Sequence, residues 1–210
     1  MSKGRFITLE GGEGGGKSTQ VFRLAEKLRR LGLPVVTTRE PGGAEGAEII
    51  RKLLVSGDPG RWDAMTELLL HFAARRDHLR RTIWPALERG DWVLSDRFAD
   101  STMAYQGYGH GLGRPVVEQM YTLVLGDFRP DLTLILDLPV TEGLRRSEDR
   151  GGENRYERMD VAFHERLRQG FLEIAKLEPA RCVVVDATRP IEAVSEAIAA
   201  AVGSRLSVSL

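Results

Sequence analysis

The run Gly11-Gly12-Glu13-Gly14-Gly15-Gly16-Lys17-Ser18 fits G-x-x-x-x-G-K-[ST], and it limits what this chain can fold into more than any other stretch. Glycines let the backbone turn tightly enough for successive N–H groups to face one centre, where phosphate oxygens bind. Such a cradle needs a strand ending beneath it and a helix whose positive end points into it. Both flanks are present, since Phe6–Glu10 is an apolar β-rich run and Ser18–Leu31 repeats with helical period. Gly11, Gly12, Glu13, Gly14, Gly15, Gly16, Lys17, Ser18 and Thr19 are therefore expected to hold ATP or another nucleoside triphosphate. Lys17 would reach the β- and γ-phosphates, and the Ser18 hydroxyl would serve Mg2+.

Four further β-rich runs follow: Val35–Thr38, Trp92–Asp96, Leu132–Asp137 and Cys182–Asp186. They lack strict polar alternation, as strands covered on both faces should. Met65–Leu87, Val116–Val124 and Val161–Leu177 carry helical period between them. Strand–helix alternation predicts an α/β P-loop NTPase fold, a five-stranded parallel sheet with helices on both faces, in a single domain spanning 1–210. Glu10, Asp96, Asp137 and Asp186 close their strands, at the sheet end where ligands gather in such folds. Gln106–Arg114 and Ser147–Asn154 look like mobile loops, and 203–210 like a frayed tail.

Acidic and basic residues number 30 each in 210, which argues against a general affinity for nucleic acid. The single cysteine, Cys182, cannot form an internal disulfide, so a reducing cytoplasm is the expected location. Neither a signal-peptide pattern nor an apolar run of membrane-spanning length is evident.

Phosphoryl transfer needs a carboxylate near the metal at the end of a neighbouring strand. Asp96, followed at once by Arg97, has that form; Asp137 is a second candidate of the same kind. His71, His78 and His164 show no metal-ligand spacing and read as surface or satisfied helix residues.

Five segments behind the glycine loop resemble, in order, the thymidylate kinases. They are Thr38-Arg39-Glu40-Pro41-Gly42-Gly43, Phe72-Ala73-Ala74-Arg75-Arg76, the stretch from Asp96-Arg97 to Gln106-Gly107, Asp127-Phe128-Arg129-Pro130-Asp131-Leu132-Thr133 and Asp186-Ala187-Thr188-Arg189-Pro190. The resemblance implies transfer of the γ-phosphoryl of ATP to dTMP with Mg2+, in a nucleoside-monophosphate-kinase-like fold with a LID at about 143–157, and a homodimer. It assigns Phe72 to stacking on thymine and Arg76 to its O4; four apart, the two share a helix face. Phe72 in its apolar surroundings also reads as core. Arg39, Pro41 and Arg97 fall to the acceptor phosphate side, Glu13 to the sugar 3′-hydroxyl or the metal, and Tyr105 to the deoxyribose face. Thr102 and Gln106 fall near the base. Catalytic roles are implied for Lys17, Glu13 and Arg97, and for a LID arginine, Arg150 or Arg155, while Arg146 would contact the ATP. Ser18 and Asp96 would serve Mg2+.

Two positions depart from the family pattern. Gly15 stands where Ala or Ser is usual, and His110 where Arg is expected. The competing enzyme reading is a P-loop kinase for another nucleoside or nucleoside monophosphate. A regulatory NTPase would need an Asn-Lys-x-Asp element, which the sequence lacks.

Overall fold

The computed structural model describes residues 4–149, 151 and 154–210. Its strands are β1 (Arg5–Glu10), β2 (Val35–Arg39), β3 (Trp92–Asp96), β4 (Leu132–Asp137) and β5 (Cys182–Asp186), in the order β2-β3-β1-β4-β5. All four neighbouring pairs are parallel, with Ile7 opposite Leu94 on one side and Leu132 on the other.

Successive side chains along a strand point to opposite faces. Phe6, Val93 and Ile135 accordingly enter one core with Phe72, Phe98, Phe163 and Phe171. Their neighbours Ile7, Leu94 and Leu134 enter the other with Leu24, Leu28, Ile198 and Val202. The second core is covered by α1 (Lys17–Arg30) and α9 (Ile191–Leu206). Against the first lie α3 (Ala64–His78), α6 (Arg114–Leu125) and α8 (Val161–Leu177). Shorter helices are α2 (Glu45–Val55), α4 (Trp84–Glu88), α5 (Ala99–Thr102) and α7 (Val140–Glu148). The strands and the double-covered sheet match the expectation from sequence.

The helical run Met65–Leu87 is also present as expected, with a π-helical turn, Leu79–Ile83, joining α3 to α4. Pro85 has no N–H to offer the Arg81 carbonyl, so the ladder widens there. Gln106–Arg114 is not a loose loop, because Met103–Gly109 forms a second π-helical turn with Gln106, Gly107 and Gly109 buried. The glycine there serves close packing, since a Cβ on Gly109 would stand 2.7 Å from the Phe163 ring. The segment Ser147–Asn154, expected as a mobile loop, begins inside α7, which continues to Glu148, while 150, 152 and 153 lie outside the described residues. The 203–210 tail starts as helix to Leu206, and Leu206 and Val208 pack on the core, so it is not frayed.

Candidate active site

β1 delivers the chain into the cradle at Gly11, and the turn is made by positive φ values at Gly11, Gly14 and Gly16. Side chains are excluded at two of these positions. A Cβ would lie 2.4 Å from the Leu136 carbonyl oxygen at Gly11, and 2.1 Å from that of Gly143 at Gly14. The second contact sets α7 directly against the cradle. Lys17 folds back over the loop, donating to the carbonyls of Gly11 at 3.1 Å and Gly12 at 2.6 Å. Burial, with Arg97 nearby, pushes its ammonium down to about 8. Ser18 and Thr19 are exposed on the first turn of α1.

Gly15 has room for a side chain, because a Cβ there would meet its nearest atoms at an ordinary 3.6 Å and φ is not positive. Gly15→Ala should therefore stabilise the fold by about 0.4–1 kcal/mol, by restricting the unfolded chain. Denaturant unfolding that showed a loss instead would refute this account of the loop.

The Ser18 hydroxyl donates to Asp96 Oδ2 at the end of β3. Two hard oxygens meeting at a helix N-terminus beside the cradle suit Mg2+, which takes few protein oxygens alongside phosphate. Asp137 is engaged elsewhere, bidentate with Arg168 at 2.8 and 2.9 Å. Of the two candidate acids, Asp96 is the one hydrogen-bonded to Ser18.

Arg97 leaves β3 with φ 71°, a left-handed backbone that arginine rarely adopts. Hydrogen bonds hold it there. Its N–H donates to Leu9 at 2.9 Å, Ser95 Oγ donates to its carbonyl at 2.7 Å, and the next N–H donates to buried Glu10 at 2.7 Å. This turns the guanidinium back onto the Gly11 carbonyl at 3.0 Å, Ser101 Oγ at 3.1 Å and Glu13 Oε1 at 3.0 Å. Tyr105 donates to the same Glu13 oxygen at 2.5 Å, and its ring lies 5.1 Å below the guanidinium. Burial works against the Glu13 charge, but Arg97, Lys17 and Tyr105 together hold its carboxyl down to about 2.

Beside the cradle opens a cleft of about 560 Å3. Arg39, Pro41, Arg51 and Arg97 line its arginine-rich end, with Arg51 donating to the Pro41 carbonyl at 2.6 Å. Arg39 is exposed and pairs with Glu48 at 3.2 Å. The deep end is lined by His71, Arg75, Thr102, Tyr105 and Gln106. Arg75 is clamped by Glu40 at 2.7 Å, the Phe98 carbonyl at 3.1 Å and Thr102 Oγ1 at 2.9 Å. Its remaining nitrogen, Nη1, is buried without a partner, and so is Oε1 of Gln106. The His71 ring, pushed down to about 3 by burial and by Arg75, is neutral and hydrogen-bonds Tyr156 Oη at 3.1 Å.

Several sequence assignments move. Phe72 is not in the cleft; it is buried in the core, edge-on to Tyr121. Arg76 is not in the cleft either, since it donates to the Val124 carbonyl at 3.1 Å and covers the Trp84 ring. The same helix turns His71 and Arg75 inward instead, one residue earlier and also four apart. Apolar Phe72 among Leu68 and Leu79 was the signal, because fixing it as core turns the face carrying His71 and Arg75 toward the cleft. Arg51 carried no comparable signal. Arg155 is fully buried and committed to Glu67 and to the carbonyls of Leu54 and Pro59, so it does not face the cradle. Arg150 lies outside the described residues. Arg146, on α7, donates to the Ala187 carbonyl at 3.1 Å, at the carboxyl end of β5. His110 packs on Phe163 with Nε2 3.4 Å from Glu67. His78 is satisfied by Thr38 and Glu40, whereas buried His164 is neither exposed nor fully satisfied, its Nε2 lacking a partner.

A glycine cradle and an arginine-lined cleft ending in a buried polar recess thus lie side by side at the carboxyl ends of β1 and β3. That is the arrangement of a P-loop nucleoside monophosphate kinase. The family model described as thymidylate kinase matches residues 9–198. The chain is 56% identical over 206 residues to a thymidylate kinase of Caulobacter vibrioides, covering 98% of this chain and 99% of that one. It is 51% identical to one of Methylococcus capsulatus, covering 98% of each. The crystal structure of thymidylate kinase from Ehrlichia chaffeensis superposes with a TM-score of 0.77 at 37% identity, covering 95% of this chain and 99% of that chain. The chain belongs to the thymidylate kinase family.

Proposed function

We infer that the chain transfers the γ-phosphoryl of ATP to dTMP, giving ADP and dTDP in the supply of dTTP. The observation that carries this is the pair of unsatisfied atoms in the deep end of the cleft, a donor on Arg75 and an acceptor on Gln106. Buried polar atoms left unpaired are costly, so such a pair marks where a ligand completes the bonding. Thymine offers the complement, with O4 to accept from Arg75 and N3–H to donate to Gln106. The neutral His71 ring supplies an apolar face for the pyrimidine, in the role first expected of Phe72. Tyr105, with its hydroxyl on Glu13, would lie against the deoxyribose.

At the other end, Arg39, Arg51 and Arg97 would take the acceptor phosphate, and charge-assisted bonds suit a dianion. Lys17 and the loop N–H groups would hold the ATP phosphates, and Arg146 its adenine side. Ser18 and Asp96 would hold Mg2+, which neutralises charge on the phosphate oxygens when bound. Holding both phosphates in line, with water excluded, removes much of the barrier without a covalent intermediate. Of the LID arginines, the engagement of Arg155 leaves Arg150 as the better candidate for meeting transition-state charge.

A homodimer is supported by an apolar face on α3 and α6, where Leu69 is 50% and Leu123 80% exposed. Among the described residues no helix is long and apolar enough to cross a membrane. A single buried thiol supports a cytoplasmic location.

The test contrasts two adjacent arginines. Arg75→Gln is expected to lower kcat/KM for dTMP by about ten- to a hundredfold with little change in the KM for ATP, as for one lost charged hydrogen bond. Arg76→Ala should leave both constants within about twofold, the usual range for a surface site. Reversed results would return the base to the Arg76 side and remove this reading of the cleft.

A further inference from the structure

Glu67, on the first turn of α3, is fully buried and has no place in the reaction as described. Its Oε1 accepts from Arg155. Its Oε2 accepts from Gln106 Nε2 at 2.9 Å and from Tyr156 Oη at 3.1 Å, with His110 Nε2 at 3.4 Å. Although burial opposes it, His110 and Arg155 hold this carboxyl down to about 2, so it is ionised near neutral pH.

An ionised carboxylate accepts hydrogen bonds and cannot donate. The Gln106 amide therefore has one orientation available. Nε2 must face Glu67, since the flipped amide would set Oε1 against the carboxylate oxygen. The carbonyl is thereby left as the group with no protein partner, in a side chain lining the same cleft as Arg75. A free glutamine amide reads donors and acceptors equally well; this one is fixed as an acceptor.

We propose that Glu67 is a specificity-determining residue, which polarises the base recess by locking the Gln106 amide with its carbonyl toward the base. The inference rests on the reading of the cleft as a thymine site. A donor on Arg75 next to an acceptor on Gln106 matches the O4/N3–H edge of thymine or uracil. The same pair opposes cytosine, whose amino group would meet the Arg75 donor and whose bare N3 would meet the Gln106 carbonyl.

The experiment compares kcat/KM for dTMP and dCMP in the wild type, Glu67→Gln, Arg155→Lys and the double variant Glu67→Gln/Arg155→Met. Wild type is expected to prefer dTMP by about a hundredfold or more, as sites built on buried hydrogen bonds do. Indifference in the wild type would sink the proposed function itself. With wild-type preference intact, Glu67→Gln should narrow the ratio by about tenfold or more, because an amide facing an amide permits the flip. An unchanged ratio would overturn the inference. Arg155→Lys loosens the anchoring of 155–158 but keeps the carboxylate, so the ratio is expected to hold even where activity drops. An equal narrowing there would make the effect one of loosened packing and also overturn the inference. The double variant leaves no unpaired buried guanidinium and serves if the single one does not fold. In the wild-type protein itself, the Gln106 side-chain amide, assigned by its loss in Gln106→Met, should show one strongly downfield, exchange-protected proton by NMR. Two ordinary amide protons would contradict the lock.

Discussion

Lys17→Ala is expected to lower kcat by about a thousandfold, or ~4 kcal/mol of transition-state stabilisation, while the protein stays folded. The lysine's hydrogen bonds go to the Gly11 and Gly12 carbonyls, and β1 and α1 are held by their own cores rather than by this contact. Turnover within tenfold of wild type would mean that the cradle is not the donor site. The lowered ammonium adds a pH signature. In the free protein it titrates near 8, held there first by burial and then by Arg97. ATP phosphates would raise it again, so above that pH binding takes up a proton, and affinity falls as pH rises through about 8. For stability, the unfolded chain binds more protons than the folded one between about 8 and the ordinary lysine value. This group's penalty is therefore full below 8 and relieved as pH rises. Calorimetry at pH 9 in two buffers of different ionisation enthalpy should detect the uptake in wild type, and detect none in Lys17→Ala.

Most of the frame was legible because it obeys local rules. Strands covered on both faces lack alternation, and the glycine loop has few solutions between a strand and a helix. The distinction between Asp96 and Asp137 was not legible. Both end apolar strands, and only the sheet order places one beside Ser18 and the other against Arg168. The base recess failed differently. Any two residues four apart share a helix face, so spacing admits Phe72 with Arg76 as readily as His71 with Arg75. Packing decides it: Phe72 fits the core between Leu68, Leu79 and Tyr121, and that rotation alone sends Arg75 to Glu40 and Thr102. Gly109 misled for a related reason. Glycine signals either freedom or close approach, and the Phe163 ring that makes it close approach comes from a helix more than fifty residues away.

Arg97 carries the other large effect, and its backbone allows chemistry and strain to be measured apart. Arg97→Ala is expected to lower kcat/KM for dTMP by about a thousandfold, since one guanidinium lines the end of the cleft proposed for the acceptor phosphate and also holds Glu13 and the Gly11 carbonyl. Arg97→Lys should recover only part of this, because a point charge cannot reproduce the fork that spans Glu13, Ser101 and Gly11. Without the guanidinium, Glu13 loses its principal opposite charge while its burial persists, so its carboxyl should climb from about 2 toward the ordinary range or above it. The strain is independent of all this. A residue with a Cβ at φ 71° costs about 1–2 kcal/mol, which glycine does not incur. Arg97→Gly should therefore be as inactive as Arg97→Ala yet more stable to denaturant by about 1 kcal/mol. Equal stability of the two would show that the bonds from Leu9, Ser95 and Glu10 relax once the side chain is gone. The left-handed turn would then be held by the guanidinium rather than imposed on it. A glycine variant that is more stable and still inactive would show the opposite. The fold would then be holding a strained backbone in order to aim one side chain at the phosphate.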